Sequence, residues 1–231
     1  MDTKYWGPAG HKLLHSIAYC YSFNGYEEDI NKNKIISFFN SIYHILPCIY
    51  CRRSYKEYIK DIPLRSFLKK SSKNNMFKWI YLIHNKINDK LRKQGYLSQK
   101  NPKYETVLSK YNKYVKKIKK CSIIGWEFLY SIIFDYPQYS FELSETRYNG
   151  YIIFFTNLQY LLPCKKVRNI YKNHLEKYPI EENMKTRNDF KKWLYKFEEK
   201  VRKNCCSFEK RCKKVLKYKV NNCNNNSCRK D

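Results

Sequence analysis

Two halves of this sequence resemble each other, and this internal repeat is the feature that most limits how the chain can fold. The segment IISFFNSIYHILPCIYCRRSYKEYIKDIPL, from Ile35, is similar to YIIFFTNLQYLLPCKKVRNIYKNHLEKYPI, from Tyr151, and both contain a Leu-Pro-Cys corner. HKLLHSIAYCY and WEFLYSIIFDY match ahead of these segments, and NMFKWIYLIHNKIND resembles NDFKKWLYKFEEKVR behind them. Three matches in the same order predict two similar folding units in one chain.

Apolar residues recur at helical spacing in the first half. Helices are predicted over residues 9–22, 31–46, 48–60, 76–93 and 103–119, with Pro47 at the start of the third and Asn74 or Asn75 as a cap for the fourth. Short loops between such helices are typical of a four-helix bundle. We therefore predict an all-α protein, with a four-helix bundle plus a fifth helix over residues 1–120. A degenerate bundle of similar fold follows over residues 121–203, and a Cys-rich, basic, flexible tail over residues 204–231.

The chain is strongly basic, with 47 Lys and Arg against 20 Asp and Glu and a net charge of +27. Such a charge attracts polyanions, so nucleic acid is one candidate partner. Genome composition explains the charge as well, because the abundant Lys, Asn, Ile and Tyr are all encoded by AT-rich codons. No apolar run approaches the roughly 18–20 residues of a membrane span, and we expect neither a span nor a signal peptide. Ten cysteines in such a chain favour catalytic or metal-binding roles over a secreted disulfide framework.

The central motif is the CxxC formed by Cys48 and Cys51. A helix N-terminus offers free N–H groups and partial positive charge, which favour a thiolate, and Arg52 and Arg53 add to this effect. The alternative is half of a zinc site, which would need two further ligands at recognisable spacing. No second pair stands near this helix, so the spacing favours a redox pair.

Two further motifs flank the CxxC. In the segment from Trp79 to Asn88, His84 and Asn88 lie four residues apart and share a helix face. Such a His is, taken alone, more often a surface or core residue than a ligand contact. The segment from Trp6 to His15 contains two histidines four residues apart, His11 and His15, which could be ligands, but no HExxH pattern surrounds them. We predict no metal site.

Together these three motifs resemble the Erv/Alr flavin-linked sulfhydryl oxidases, whose sequences contain WGxxxWxxLH, PCxxC and WxxxxHNxxN in this order. The resemblance covers residues 6–119 and implies a helical bundle that holds FAD. Cys51 would face the flavin and Cys48 would exchange with the substrate. The cofactor-binding residues implied in this way are Trp6, Gly7, His11 and His15 on the first helix, Tyr55 below the CxxC, His84, Asn85 and Asn88 at the adenine and ribose, and Lys103 and Tyr104 near the phosphates.

The chain departs from the family pattern in several places. His11 stands where the family usually has Trp, and the structural C-x16-C disulfide of many members is absent, which leaves Cys121 without that partner. The second half also resembles the family, but Val167 replaces the second cysteine of the motif, so we expect no active site there. Family members are commonly dimers, and the second bundle would replace a dimer partner or support a homodimer.

The tail contains a C-x4-C pair, Cys223 and Cys228. Some family members have such a pair in a flexible segment that passes electrons from substrate to the CxxC, and the alternative is a low-complexity tail with incidental cysteines. The pairing of Cys205, Cys206 and Cys212 is not readable from sequence.

The resemblance implies a reaction in which substrate protein thiols become disulfides and oxygen becomes hydrogen peroxide, with FAD as cofactor. A viral protein in the host cytoplasm or the virion fits the residue usage. The competing interpretation from another functional class is a non-enzymatic basic protein that binds metal, nucleic acid or virion components.

Overall fold

The chain folds into helices joined by loops and short turns in a computed structural model, which describes residues 3–23, 31–68, 75–118 and 125–204. Those residues contain no strand, and one isolated bridge joins Tyr139 to Thr186. The prediction of an all-α protein is confirmed. The helices are α1 (Thr3–Phe23), α2 (Lys32–Ile45), α3 (Ile49–Asp61), α4 (Met76–Lys93), α5 (Tyr104–Ile118), α6 (Trp126–Asp135), α7 (Glu145–Leu161), α8 (Lys165–Lys177), α9 (Ile180–Asn183) and α10 (Arg187–Asn204).

The predicted helices of the first half are all present. Helix α4 has the predicted bounds, because Asn75 caps it and its side chain accepts a hydrogen bond from the N–H of Lys78 at 2.9 Å. Helix α1 begins earlier than predicted and contains Pro8, which lies close enough to the N-terminus to be tolerated. Pro47 lies just before α3 and not at its first position, since Cys48 is the N-cap. Among the described residues, no helix combines the length and apolar character needed to cross a bilayer.

The two halves repeat the same side-chain hydrogen bonds at equivalent positions. In each half a tyrosine hydroxyl, an arginine guanidinium and a tryptophan indole donate to main-chain carbonyls, at distances of 2.7–3.1 Å. The repeat in the sequence is therefore a repeat in three dimensions. The pairs are Tyr55 to Phe39, Arg52 to Leu46 and Trp79 to Ile62 in the first half, and Tyr171 to Phe155, Arg168 to Leu162 and Trp193 to Tyr178 in the second.

The halves pack against each other through α1 with α6 and α2 with α7. Phe38 and Phe154 stack across the second contact with ring centroids 4.7 Å apart. At Gly150 of α7 the helices approach so closely that an added Cβ would lie 2.4 Å from the Cβ of His44. The buried apolar residues of both halves form one continuous core, so neither half buries its apolar surface alone.

Gly150→Ala should therefore destabilise the whole chain. The added methyl group would overlap the Cβ of His44, so the backbones of α2 and α7 must move apart. We expect a loss of about 1–3 kcal/mol in the free energy of unfolding, measured by urea denaturation. Asn149→Ala, at the exposed neighbouring position, is the matched control and should be neutral or slightly stabilising. Equal stabilities for the two variants would contradict the close packing of α2 on α7.

Candidate functional site

The CxxC motif lies at the N-terminus of α3, where both cysteines are partly buried and carry free thiols. Cys48 is the N-cap in extended conformation, and its Sγ accepts a hydrogen bond from the N–H of Cys51 at 3.3 Å. The two residues between the cysteines, Ile49 and Tyr50, are exposed. One face of the motif is therefore open to solvent, while the sulfur of Cys48 lies against the helix N-terminus.

The two thiols differ in acidity because the thiol of Cys51 donates a hydrogen bond to the sulfur of Cys48. The pKa of Cys48 is lowered to about 6, mainly by a hydrogen bond from the side chain of Cys51 and also by the backbone N–H groups of Cys51 and Tyr50, against the opposing effect of burial. The pKa of Cys51 is raised, because its proton is held by the neighbouring sulfur and because it is buried. In the reduced protein the negative charge therefore rests on Cys48 at neutral pH.

Positive side chains surround the pair. The charges of Lys90 and Arg52 lower the pKa of Cys51, although burial and the hydrogen bond to Cys48 have the larger effect. The Nζ of Lys90 donates to Ser54 Oγ at 2.6 Å, which fixes its position between α3 and α4. Lys90 carried no motif signal in the sequence, because only the packing of α4 on α3 brings it to the cysteines.

The second half contributes a carboxylate beside the motif. Arg52 follows Cys51 directly and donates to Leu46 O at 2.7 Å and to Asp135 Oδ2 at 3.4 Å. Arg147 approaches the same carboxylate oxygen, at 4.0 Å. Asp135 closes α6 and lies 83 residues from Arg52 in sequence. Sequence reasoning missed this contact, for which no local pattern exists.

A second cluster consists of His11, His15 and His84, which α1 and α4 bring together. The rings of His11 and His84 stack in parallel with centroids 3.7 Å apart, and His15 meets His84 edge to face at 5.2 Å. Nδ1 of His15 lies 3.0 Å from the carbonyl oxygen of His11, so it donates there and leaves Nε2 unprotonated. The sequence indicated His84 in one motif and His11 with His15 in another, and the structure brings these three side chains together.

The three imidazoles are neutral at physiological pH. Burial lowers the pKa of His15 to about 3 and that of His84 to about 4, and it holds the pKa of His11 well below its usual value. Mutual repulsion adds to this effect at His11 and His15, and the charge of Lys110 adds to it at His15 and His84. The rings therefore offer lone pairs and N–H groups without net charge.

Aromatic rings extend this cluster along the seam between α1, α4 and α5. Tyr111 of α5 stacks on His15 at 4.9 Å, and Phe77 of α4 contacts His15 at 5.8 Å. The ring centroids of Tyr104 and Phe77 are 6.0 Å apart, and the Nζ of Lys78 lies 4.2 Å from the Tyr104 ring centroid. The seam thus offers flat apolar faces next to neutral nitrogens, with Lys78 and Lys110 as nearby cations.

The remaining predicted residues of α4 and the following loop are polar and partly exposed. Asn88 donates to Asn101 Oδ1 at 3.1 Å, and Asn101 donates in turn to Asp89 at 3.0 Å. Asn85 is partly buried beside His84, whereas Lys103 is exposed just before α5. The structure therefore places Asn88 in a network that joins α4 to this loop.

Three predicted residues lie elsewhere. Trp6 packs against Phe128 of the second half with ring centroids 5.9 Å apart, and Gly7 has open space around it. Tyr55 is buried and its hydroxyl donates to Phe39 O at 3.1 Å, so it joins α3 to α2. The assignment of all three to FAD stays a prediction. Cys223 and Cys228 lie outside the described residues.

The second half fills the equivalent positions with other side chains. Tyr130 and Glu198 stand where the first half has His15 and His84; both are buried, and the tyrosine hydroxyl donates to the carboxylate. Trp126 replaces His11. At the equivalent of the CxxC, Cys164 precedes α8 without a side-chain hydrogen bond to the helix N-terminus. This arrangement holds no pair of thiols and no cluster of imidazoles.

Comparison with known proteins agrees with this geometry. A sequence model of the Erv1 / Alr family matches residues 9–119 and 124–221, one segment in each half. The chain belongs to the Erv1 / Alr family, which confirms the resemblance found in the motifs. No solved structure matches the chain.

Two curated relatives cover part of the chain. One is a probable FAD-linked sulfhydryl oxidase of Acanthamoeba polyphaga mimivirus, 38% identical over 88 residues, which are 38% of this chain and 59% of that protein. The other is the mitochondrial FAD-linked sulfhydryl oxidase ERV1 of Saccharomyces cerevisiae, 32% identical over 92 residues, or 40% of this chain and 46% of that protein. The chain thus spans about half the length of these relatives.

The acidity of Cys48 can be measured directly. In the reduced chain, alkylation of Cys48 by iodoacetamide should reach half its maximal rate near pH 6, because the thiolate forms above its lowered pKa. Cys51→Ala removes the largest cause of that shift and should move the midpoint upwards. Cys164→Ala is the matched control and should leave it unchanged, as read by peptide mass spectrometry. An unshifted midpoint in Cys51→Ala would rule out the hydrogen bond from Cys51 to Cys48 as the main cause of the low pKa.

Proposed function

We propose that this protein is an FAD-dependent sulfhydryl oxidase that makes disulfides in proteins and reduces oxygen to hydrogen peroxide. The observation that carries the proposal is the pair Cys48 and Cys51 at the N-terminus of α3, with the charge of the reduced pair on the partly exposed sulfur of Cys48. Both relatives are named as FAD-linked sulfhydryl oxidases, the viral one as probable. The similarity to a mimivirus protein also supports a viral origin, with activity in the host cytoplasm or the virion.

The side chains of the α1–α4–α5 seam fit a flavin nucleotide chemically. Flat heteroaromatic groups bind between ring faces, and His11, His15 and Tyr111 supply such faces beside neutral nitrogens. Nε1 of Trp6 and Oγ of Ser16 are buried on α1 without a hydrogen-bond partner among the described residues, so α1 retains unused polar groups. His84, Asn85 and Asn88 would hold the nucleotide from α4, and Lys103 and Tyr104 from the start of α5.

The protein groups perform thiol–disulfide exchange. A substrate thiolate attacks Cys48 of the Cys48–Cys51 disulfide, and Cys51 leaves as a thiolate that the charges of Lys90 and Arg52 stabilise. The second substrate thiol then attacks the mixed disulfide and releases Cys48, whose charge the α3 N-terminus stabilises. Two electrons and two protons leave the substrate in this way, and oxygen takes up both to give hydrogen peroxide. Bound FAD supplies the two-electron chemistry between the dithiol and oxygen.

The second half takes the place of a partner subunit in this proposal. Its helices α6 and α7 cover α1 and α2 and bring Asp135 to the side of the redox motif. Its own equivalent site lacks the second cysteine and the histidines. One chain therefore provides both the catalytic bundle and the surface that supports it, over the proposed units 1–120 and 121–203.

Cys51→Ser tests the function. The variant should bind FAD, shown by flavin absorption after gel filtration, but it should not consume oxygen with dithiothreitol, because no disulfide with Cys48 can form. Cys164→Ser is the matched control and should retain wild-type oxygen consumption and peroxide production, since Val167 stands at its partner position. Full activity in Cys51→Ser, or an equal loss in Cys164→Ser, would refute the assignment of the active half.

Cys223 and Cys228 are proposed to pass electrons from protein substrates to Cys48. A small dithiol reaches Cys48 directly, whereas a folded substrate must align its sulfur with the disulfide axis at a partly buried site. The double variant Cys223→Ser with Cys228→Ser should oxidise dithiothreitol at the wild-type rate and a reduced protein substrate much more slowly. Cys205→Ser with Cys206→Ser, which keeps the same net charge, is the control. Equal rates on protein substrate in wild type and double variant would exclude a shuttle.

A further inference from the structure

His11, His15 and His84 form more than an aromatic contact. One ring nitrogen from each of these side chains lies within 4.8 Å of the other two, and no carboxylate or thiol in the described part of the chain joins them. Zinc sites of three histidines have Zn–N distances of about 2.0–2.1 Å, which place the nitrogens about 3.3–3.4 Å apart in tetrahedral geometry. The nitrogens can come to this shorter spacing if the stacked rings of His11 and His84 rotate out of their parallel arrangement and turn one nitrogen each towards the ion.

The surroundings of the cluster suit a metal ligand set. His11 and His15 are four residues apart on α1, which places both on one face, and His84 approaches from α4. The Nδ1–H of His15 is fixed by the carbonyl of His11, so its Nε2 is available as a ligand, and such a backbone hydrogen bond commonly orients histidines at metal sites. Neutral imidazoles select zinc, cobalt, nickel or copper over magnesium and calcium, which prefer oxygen ligands.

We infer that His11, His15 and His84 constitute a transition-metal site, and that metal and flavin exclude each other there. The exclusion rests on the proposed function, because it assigns the same three side chains to FAD. His11 is the residue that makes the third ligand, since this position carries Trp in the sequence pattern that the chain otherwise resembles. The protein without flavin would thus bind one divalent ion such as Zn²⁺, and the ion would block flavin uptake.

The test uses the full chain purified from riboflavin-limited cells, titrated with Co²⁺ as a spectroscopic probe and with Zn²⁺ in competition. We expect one Co²⁺ per chain, with visible d–d bands and no intense near-ultraviolet thiolate-to-cobalt bands, and no displacement by Mg²⁺ or Ca²⁺. His11→Trp and His84→Gln, on different helices, should each weaken binding at least about tenfold, the lower end of what disturbing a metal site costs. His44→Gln, a partly buried histidine outside the cluster, is the matched control.

The outcomes separate this inference from the proposed function. Unchanged Co²⁺ affinity in both cluster variants, thiolate bands, or flavin uptake unaffected by bound Zn²⁺ would each overturn the inference. A chain that takes up FAD in metal-free buffer but binds no Co²⁺ overturns the inference and leaves the oxidase proposal standing. A chain that binds Co²⁺ through the histidines but takes up no FAD overturns the oxidase proposal and the mutual exclusion, while the metal site stands.

Discussion

The hydrogen bond from Arg52 to the carbonyl oxygen of Leu46 holds the corner on which the redox motif depends. The last carbonyl groups of a helix have no partner within the helix. At the end of α2 the carbonyl oxygen of the C-cap residue Leu46 accepts a hydrogen bond from the guanidinium of Arg52 at 2.7 Å. The same bond fixes the start of α3 relative to α2 across Pro47. The hydrogen bond from the Cys51 side chain has the largest effect on the pKa of Cys48, and the N–H groups of that first turn, which the corner places, lower it further. Arg168 and Leu162 repeat the bond at the same distance in the second half, where no redox pair exists. The bond is therefore a requirement of the fold in both halves, and in the first half it also positions the CxxC motif.

Sequence patterns predicted what is local and missed what is distant. Helical spacing and the cap at Asn75 predicted the bounds of α4, and the internal repeat predicted a second half of similar fold. Both are visible in runs of neighbouring residues. The sequence showed His11 and His15 four residues apart on one predicted helix, but only the register of α1 on α4 decides that His84 meets them. The motif indicated an acidic cysteine without deciding which one, since that depends on the direction of a hydrogen bond between two sulfurs. Asp135 and Lys90 reach the motif through packing between helices, so no local pattern could reveal them.

Comparison of the two halves separates residues that hold the fold from residues that form the site. The tyrosine, arginine and tryptophan that donate to main-chain carbonyls occur in both halves. The clustered histidines (His11, His15 and His84) and the second cysteine of the CxxC occur only in the first half. In the second half the position of two neutral imidazoles is taken by a tyrosine whose hydroxyl donates a hydrogen bond to a buried carboxylate. The helices around this pair keep the same packing partners, since α6 contacts α10 as α1 contacts α4 and α7 contacts α8 as α2 contacts α3.

The second half nevertheless takes part in the electrostatics of the redox motif through Asp135. Arg52 and Arg147 approach one oxygen of this carboxylate, and Arg147 also donates to the carbonyl of His44 at 3.2 Å. Burial raises the pKa of Asp135, whereas the two guanidinium groups act to lower it. Without the carboxylate, two like charges would face each other at the contact between the halves, so its negative charge favours the packing of the two halves there. Arg52 also donates to Leu46 just before α3, so a carboxylate of the second half lies against the side chain that joins α2 to the start of α3. The second half is thus joined to the corner before the CxxC by the ion pair of Arg52 with Asp135 as well as by the continuous apolar core.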